Sequence, residues 1–147
     1  MERNSRNDYK TARSVAGLTQ ERWAEAIGCS ADSVRGYEAG TTLPSDEIVR
    51  AMCEISGLSV LAYWHLCNKS PLAADVLPEV RRVPLPQAVL HLLRAMGDFA
   101  ADHGKLISLA EDGAISGDEA YEWDGIKSRL DEVVKAAIEV KVAEGGA

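Results

Sequence analysis

A carboxylate, a hydroxyl and a guanidinium stand close together at Asp32, Ser33 and Arg35, inside the run QERWAEAIGCSADSVRGY from Gln20 to Tyr37. Their chemistry is hydrogen-bonding recognition. An arginine donates a parallel pair of N–H groups to guanine, and a carboxylate accepts from cytosine N4. Bond-making chemistry has no comparable foothold. There is no GxSxG, no HExxH and no phosphate-cradling glycine loop. His65, His91 and His103 share no short metal-binding spacing. Cys29, Cys53 and Cys67 are odd in number and lack a CxxC spacing. They fall beside apolar residues on expected helices, so they read as reduced core thiols. Asp112-Gly113-Ala114-Ile115 with Glu119 imitates the end of a calcium loop. Aligned on Gly113, however, Ala110 stands where an oxygen ligand is needed. Ser116 and Glu119 are better read as a capping box at a helix start. No catalysis, metal or cofactor is expected.

The elements that must position Asp32 and Arg35 are two short helices crossing at a steep angle. Such a crossing needs a small residue at the contact, and Ala24 supplies it. The first helix must stop where positive φ is tolerated, and Gly28 stands there. Trp23, Ile27, Cys29, Val34 and Tyr37 point inward at helical spacing. This agreement in register is the pattern of a helix-turn-helix whose second helix enters the DNA major groove.

The flanking residues extend the pattern. Arg13, Gly17-Leu18-Thr19-Gln20, Tyr37-Glu38-Ala39-Gly40 and Pro44 together resemble the Xre/Cro/phage-repressor domain, over about residues 7 to 67. The resemblance implies a lambda-repressor-like, five-helix DNA-binding bundle. It implies that Gln20 opens the second helix and hydrogen-bonds a phosphate or base edge. Ala31, Asp32, Ser33, Arg35 and Gly36 would be the exposed face of the recognition helix. Thr41 and Thr42 would lie in the following loop against backbone phosphate, and Arg13 and Glu38 would form an internal ion pair. Two residues depart from what a DNA-facing helix favours. Asp32 is repelled by phosphate, and Gly36 weakens the helix by about 1 kcal/mol relative to alanine. Arg35 is the only cation on that face.

Composition bounds the rest. The chain has 147 residues, 46% of them hydrophobic, with a single Phe, so aliphatic packing should dominate the core. That length holds one ordinary domain, or a small domain with an appendage. No apolar run is long enough to cross a membrane. The segment MERNSRNDYK lacks an apolar h-region, so no secretory signal is expected. Net charge is −7. Residues 1–70 hold eight Lys/Arg against nine Asp/Glu, net −1, and residues 71–147 hold eight against fourteen, net −6. Acidity therefore concentrates away from the expected DNA face. Nonspecific affinity, which scales with phosphates neutralised, should be modest.

Local signals place the helices. The first runs near Tyr9 to Ala16 and stops at Gly17. Thr19, Ser30, Ser45 and Ser59 are the expected caps of the next four, which end near Ile27, Ala39, Gly57 and Cys67. Asp46 and Glu47 lie over the positive end of the fourth helix dipole. Leu61, Tyr63 and Trp64 of the fifth should close the core. No period-two alternation persists, so the class is all-α. Residues 68–86 contain four of the five prolines and should form a largely extended linker, with a short helical turn at about 72–77.

Beyond the linker, over residues 87–144, a second pattern appears. Leu85, Val89, Leu92, Met96 and Phe99 are spaced 4-3-4-3, as in a coiled-coil seam. Trp123, Ile126, Leu130 and Val133 begin a matching seam that Ala137 and Val140 continue. Val134 and Ile138 widen it toward bundle packing. Gly104 to Gly117 interrupts, with room for a short turn at 106–110. The expected form is a C-terminal helical hairpin whose stripes pair with a second subunit, making residues 87–144 a dimerisation or interaction region. The alternative is packing on the N-terminal domain within a monomer.

The sequence thus reads as a cytoplasmic, nucleoid-associated, all-helical transcriptional regulator of phage or mobile-element type. It is expected to bind an inverted repeat in double-stranded DNA as a homodimer and to repress. The second reading is a protein–protein adaptor or antitoxin-like module, capturing a protein partner through its acidic C-terminal helices.

Overall fold

The computed structural model describes residues 7–144, which fall into two compact units dividing between Val76 and Leu77. Arg3 and Arg6 lie outside the described residues. Every regular element among the described residues is a helix. No described helix is long and apolar enough to cross a membrane.

The N-terminal unit comprises α1 (Asp8–Ala16), α2 (Gln20–Ile27), α3 (Ala31–Ala39), α4 (Asp46–Ser56), α5 (Val60–Lys69) and the single turn α6 (Ala73–Val76). Its helix starts are set by side chains that satisfy orphan backbone N–H groups. Asn7, Thr19, Ser30 and Ser45 accept from the amides of Lys10, Arg22, Ser33 and Ile48. α5 departs from expectation: Ser59 is itself helical in φ/ψ and makes no side-chain cap. Tight turns do that work, with Leu61 N–H on Leu58 O at 3.2 Å and Ala62 N–H on Ser59 O at 3.3 Å. Ala12, Trp23, Val34, Met52, Leu58 and Leu61 form the centre of the core, all essentially excluded from solvent. Tyr63 and Trp64, expected to close that core, are only half-buried.

His65 is also buried. It bridges three helices, with Tyr9 Oη 2.8 Å from Nδ1 and Asp46 Oδ1 3.1 Å from Nε2. This buried polar link between α1, α4 and α5 is satisfied at both ring nitrogens, as burial demands.

The second unit contains α7 (Leu85–Ala100), α8 (His103–Asp112) and α9 (Ala120–Val142). α7 begins within the expected linker, because Pro86 occupies its first turn, where a missing N–H costs nothing. α7 and α9 pack antiparallel, a sense fixed by the descending partners of an ascending series: Arg82 with Glu144, His91 with Glu139, Asp102 with Arg129. The segment between them is not a loop with one short turn. It folds as the ten-residue α8, with Gly104 in the first turn, where glycine costs less than in a helix interior. Lys105 of α8 pairs with Glu122 of α9 at 3.3 Å. Ser116 does not cap α9, whose N-cap is Glu119 with no side-chain cap; instead the Glu119 carboxylate accepts from Ser116 N–H and Oγ–H, both at 2.8 Å, closing the turn before the helix.

The contact between α7 and α9 overlaps the expected seam but is centred beside it on α7, on smaller side chains. The deepest residues on α7 are Ala88, Ala95 and the following Asp102, with Leu92 and Phe99 half-buried between them. On α9 they are Ile126, Ala136 and Glu139. Small side chains at Ala88, Ala95 and Ala136 let the helix axes approach closely. Of the seam residues, Ile126 is fully buried, and Leu85, Leu92, Phe99, Trp123 and Val133 are half-buried. Val89, Met96 and Leu130 remain exposed. Leu90 and Leu93 of α7 and Val134 of α9 join them outside. α7 is apolar around most of its circumference, so one partner helix covers only half of it.

Candidate nucleic-acid interface

Ala24, 3% exposed, sits where α2 and α3 pack together. α2 ends on Gly28 at φ 78°, and both Gly28 N–H and Cys29 N–H return to Ala24 O at 3.0 Å. This positive-φ turn, which only glycine adopts without a Cβ penalty, sets the angle at which α3 departs. Ser30 then caps α3, and Val34 fixes its inner face in the core.

Behind the two helices lies a nearly dry polar cluster. Arg13 Nε donates to Glu38 Oε1 at 2.5 Å and Arg13 Nη2 to Glu38 Oε2 at 3.1 Å, while Nη1 reaches Leu18 O at 2.9 Å. Gln20 Nε2 donates to the same Glu38 Oε2 at 2.8 Å. Burial pushes the Glu38 carboxyl upward, but the hydrogen bonds from Arg13 and Gln20 outweigh it and hold the group below its ordinary value. The same pair raises Arg13. α1, α2 and α3 are thereby tied at one carboxylate. Gln20 consequently spends one amide N–H internally, and an amide has a second N–H and an oxygen left for an external partner.

The outer side carries the remaining candidates. Asp32 and Arg35 project from α3 with side chains 89% and 51% exposed. Arg35 Nη2 donates to Asp32 Oδ1 at 2.7 Å, and Arg35 Nη1 lies 3.7 Å from Glu21 Oε1 at the start of α2. Ala31 and Ser33 are half-buried, and the Ser33 hydroxyl is 2.9 Å from that of its cap, Ser30. Thr41 and Thr42 are exposed and fold back over the last turn of α3. Thr41 donates to Gly36 O through N–H at 3.0 Å and through Oγ at 3.2 Å.

Gly36 has a steric reason that helix propensity does not reveal. A Cβ there would stand 2.6 Å from Thr42 Oγ1 and 3.4 Å from Thr41 Oγ1. The glycine is what lets the threonine pair lie against α3. Sequence reasoning missed this, and it missed Glu21 as the second neighbour of Arg35. The signal for Gly36 was a glycine followed at short range by Gly40-Thr41-Thr42. For Glu21 there was none, because its proximity to Arg35 exists only once α2 and α3 cross.

The exposed charges of α2 and α3 are Glu21, Arg22, Glu25, Asp32 and Arg35, so this surface is not basic. Cys29 and Cys53 are half-buried, and burial pushes both thiols up, away from nucleophilic thiolate. Among the described residues no group of three or more His, Cys, Asp or Glu could hold a metal ion.

Residues 10–62 match the model of a family described as a helix-turn-helix domain, while the C-terminal half matches no family model. No curated protein matches the chain. No solved structure matches it either. The α2–α3 crossing, its glycine turn and the core beneath it agree with that match, and residues 10–62 of this chain are a helix-turn-helix domain.

Proposed function

We propose that this protein is a sequence-specific DNA-binding transcriptional regulator, a repressor of phage or mobile-element type. In this reading it acts in the cytoplasm on the nucleoid, binds an operator inverted repeat as a homodimer, and performs no catalysis. The observation that carries the reading is the outward face of α3. A capped, core-anchored helix presents Asp32 and Arg35, while Thr41 and Thr42, packed over Gly36, lie alongside for phosphate. Phosphate attraction contributes little with so few cations, so discrimination must come from base edges.

One such helix binds weakly, and pairing two of them on half-sites about one DNA turn apart multiplies the affinities. The outer stripe of α7, with Val89, Leu90, Leu93 and Met96, supplies the surface for a second copy, continued by Leu130 and Val134 of α9. α7 and α9 run antiparallel in the register set by His91–Glu139, which places Met96 and Val134 at the same level. An exposed apolar patch can bury itself against its own copy about a two-fold axis. Selection from a randomised duplex pool, at low and near-physiological salt, tests the DNA reading. Enrichment of an inverted repeat supports it, and a folded protein that enriches nothing refutes it. Leu93→Asp, on the exposed stripe (62% exposed), should halve the mass measured by light scattering. A wild-type chain that is already monomeric at micromolar concentration would overturn the homodimer.

A further inference from the structure

We infer that Arg35 reads a guanine in each half-site, and that Asp32 and Glu21, one from each helix of the motif, position it for that contact. This rests on the DNA-binding reading above. Arg35 is the only cation on the outward face of α3. An unrestrained arginine there would swing over a wide arc and favour the nearest phosphate, which carries no sequence information. Here one carboxylate hydrogen-bonds the guanidinium and a second lies close by without bonding to it. Asp32, three residues earlier on α3, accepts from Nη2 at 2.7 Å, and Glu21, in the first turn of α2, stands 3.7 Å from Nη1.

The two carboxylates do two things. They restrict the rotamers of a long side chain before binding, which lowers the ordering cost at the interface. They also repel the phosphate backbone, so the arrangement is disfavoured on a duplex unless the guanidinium meets a strong acceptor pair. Guanine O6 and N7 form that pair, and they accept from two parallel N–H donors. A guanidinium has five N–H groups, and Asp32 occupies one, so a fork remains for the base. Asp32 Oδ2 is left to accept from N4 of a cytosine in a neighbouring pair. The two acids that make this surface look unsuited to DNA therefore become the source of its selectivity. The carboxylates cancel general attraction and leave one directed donor.

The test uses the full chain with Asp32→Ala, Glu21→Gln and Arg35→Lys, each at an exposed position where folding should persist, checked by thermal melts. The duplex pool is selected with wild type first, and the best half-site is then varied one base pair at a time. Wild type should lose about ten-fold in affinity when the assigned guanine is changed. It should also weaken when that base is 7-deazaguanine, which lacks the N7 acceptor. Asp32→Ala should bind unrelated duplex as well as or better than wild type, yet lose most of its guanine preference. Glu21→Gln should lose part of it. Arg35→Lys keeps the charge and loses the fork, so the preference should collapse. If Asp32→Ala raises affinity for all duplexes equally and keeps the preference, Asp32 is merely repulsive and the positioning role is wrong. A selected half-site indifferent to guanine overturns the inference while the regulator reading stands. Enrichment of no duplex overturns both.

Discussion

Glu38→Gln isolates the contribution of the cluster behind the helix-turn-helix. The wild-type carboxylate is 8% exposed, its Arg13 partner 16%, and it also accepts from Gln20. Glutamine keeps the shape but brings no charge, and its amide nitrogen faces one of the three donors it should satisfy. Breaking a fully buried pair costs about 3–5 kcal/mol, because the surviving charge is stranded. Exposed pairs are worth about 0.2–1 kcal/mol. Arg13 retains Leu18 O and some solvent contact, so the expected loss lies between these limits, about 2–3 kcal/mol. For a domain of this size that is a drop of about 8–24 °C in Tm.

Urea titration in a Trp123→Phe background restricts fluorescence to Trp23 and Trp64 of the N-terminal unit. A second signature lies in the pH dependence. Glu38 titrates below its ordinary value of 4.5 when folded. Its stabilisation is therefore complete above that value and is lost as pH falls through the lower folded pKa. The variant should lack this part of the acid limb while keeping the rest. A loss below about 0.5 kcal/mol at neutral pH, with an unchanged acid limb, would show that the pair behaves like an exposed one and refute the argument.

Two further substitutions probe the two units separately. Gly36→Ala should gain up to about 1 kcal/mol of helix propensity, because Thr42 Oγ1 can rotate away from the new Cβ. Its binding to the selected duplex should nonetheless weaken, because the Thr42 hydroxyl leaves the position it holds against α3. A fall in Tm instead would show that the loop cannot yield. Ala95→Leu, at a site 9% exposed against α9, should overpack the α7–α9 contact and cost about 1–3 kcal/mol in a urea melt followed by circular dichroism. The same change at the exposed Ala100 should be near neutral, and equal effects at both would reject the close approach of the two helices.

Much of the N-terminal unit follows from sequence because its signals are local. Caps at Thr19, Ser30 and Ser45 and stops at Gly17, Gly28, Gly40 and Gly57 act over three or four residues, so helix limits can be read without knowing the fold. The all-helical class and the helix-turn-helix register follow from the same short-range rules. Between elements, Ala24 at the α2–α3 crossing and, through the resemblance, the Arg13–Glu38 pair were anticipated, but most other contacts were not legible. Ser59 looked like a cap, but tight turns from Leu58 and Ser59 satisfy the start of α5. Gly36 looked like a weak point until the Thr42 hydroxyl was found where its Cβ would go. The 4-3-4-3 spacing of Leu85, Val89, Leu92, Met96 and Phe99 is real. Yet α7 has more apolar surface than one neighbour covers, and periodicity alone does not say which stripe turns inward. Only the packed structure chose Ala88 and Ala95, where small side chains permit the closest approach. It likewise placed Glu21 beside Arg35, since the two residues lie on different helices and their distance is set by a crossing that no local spacing encodes.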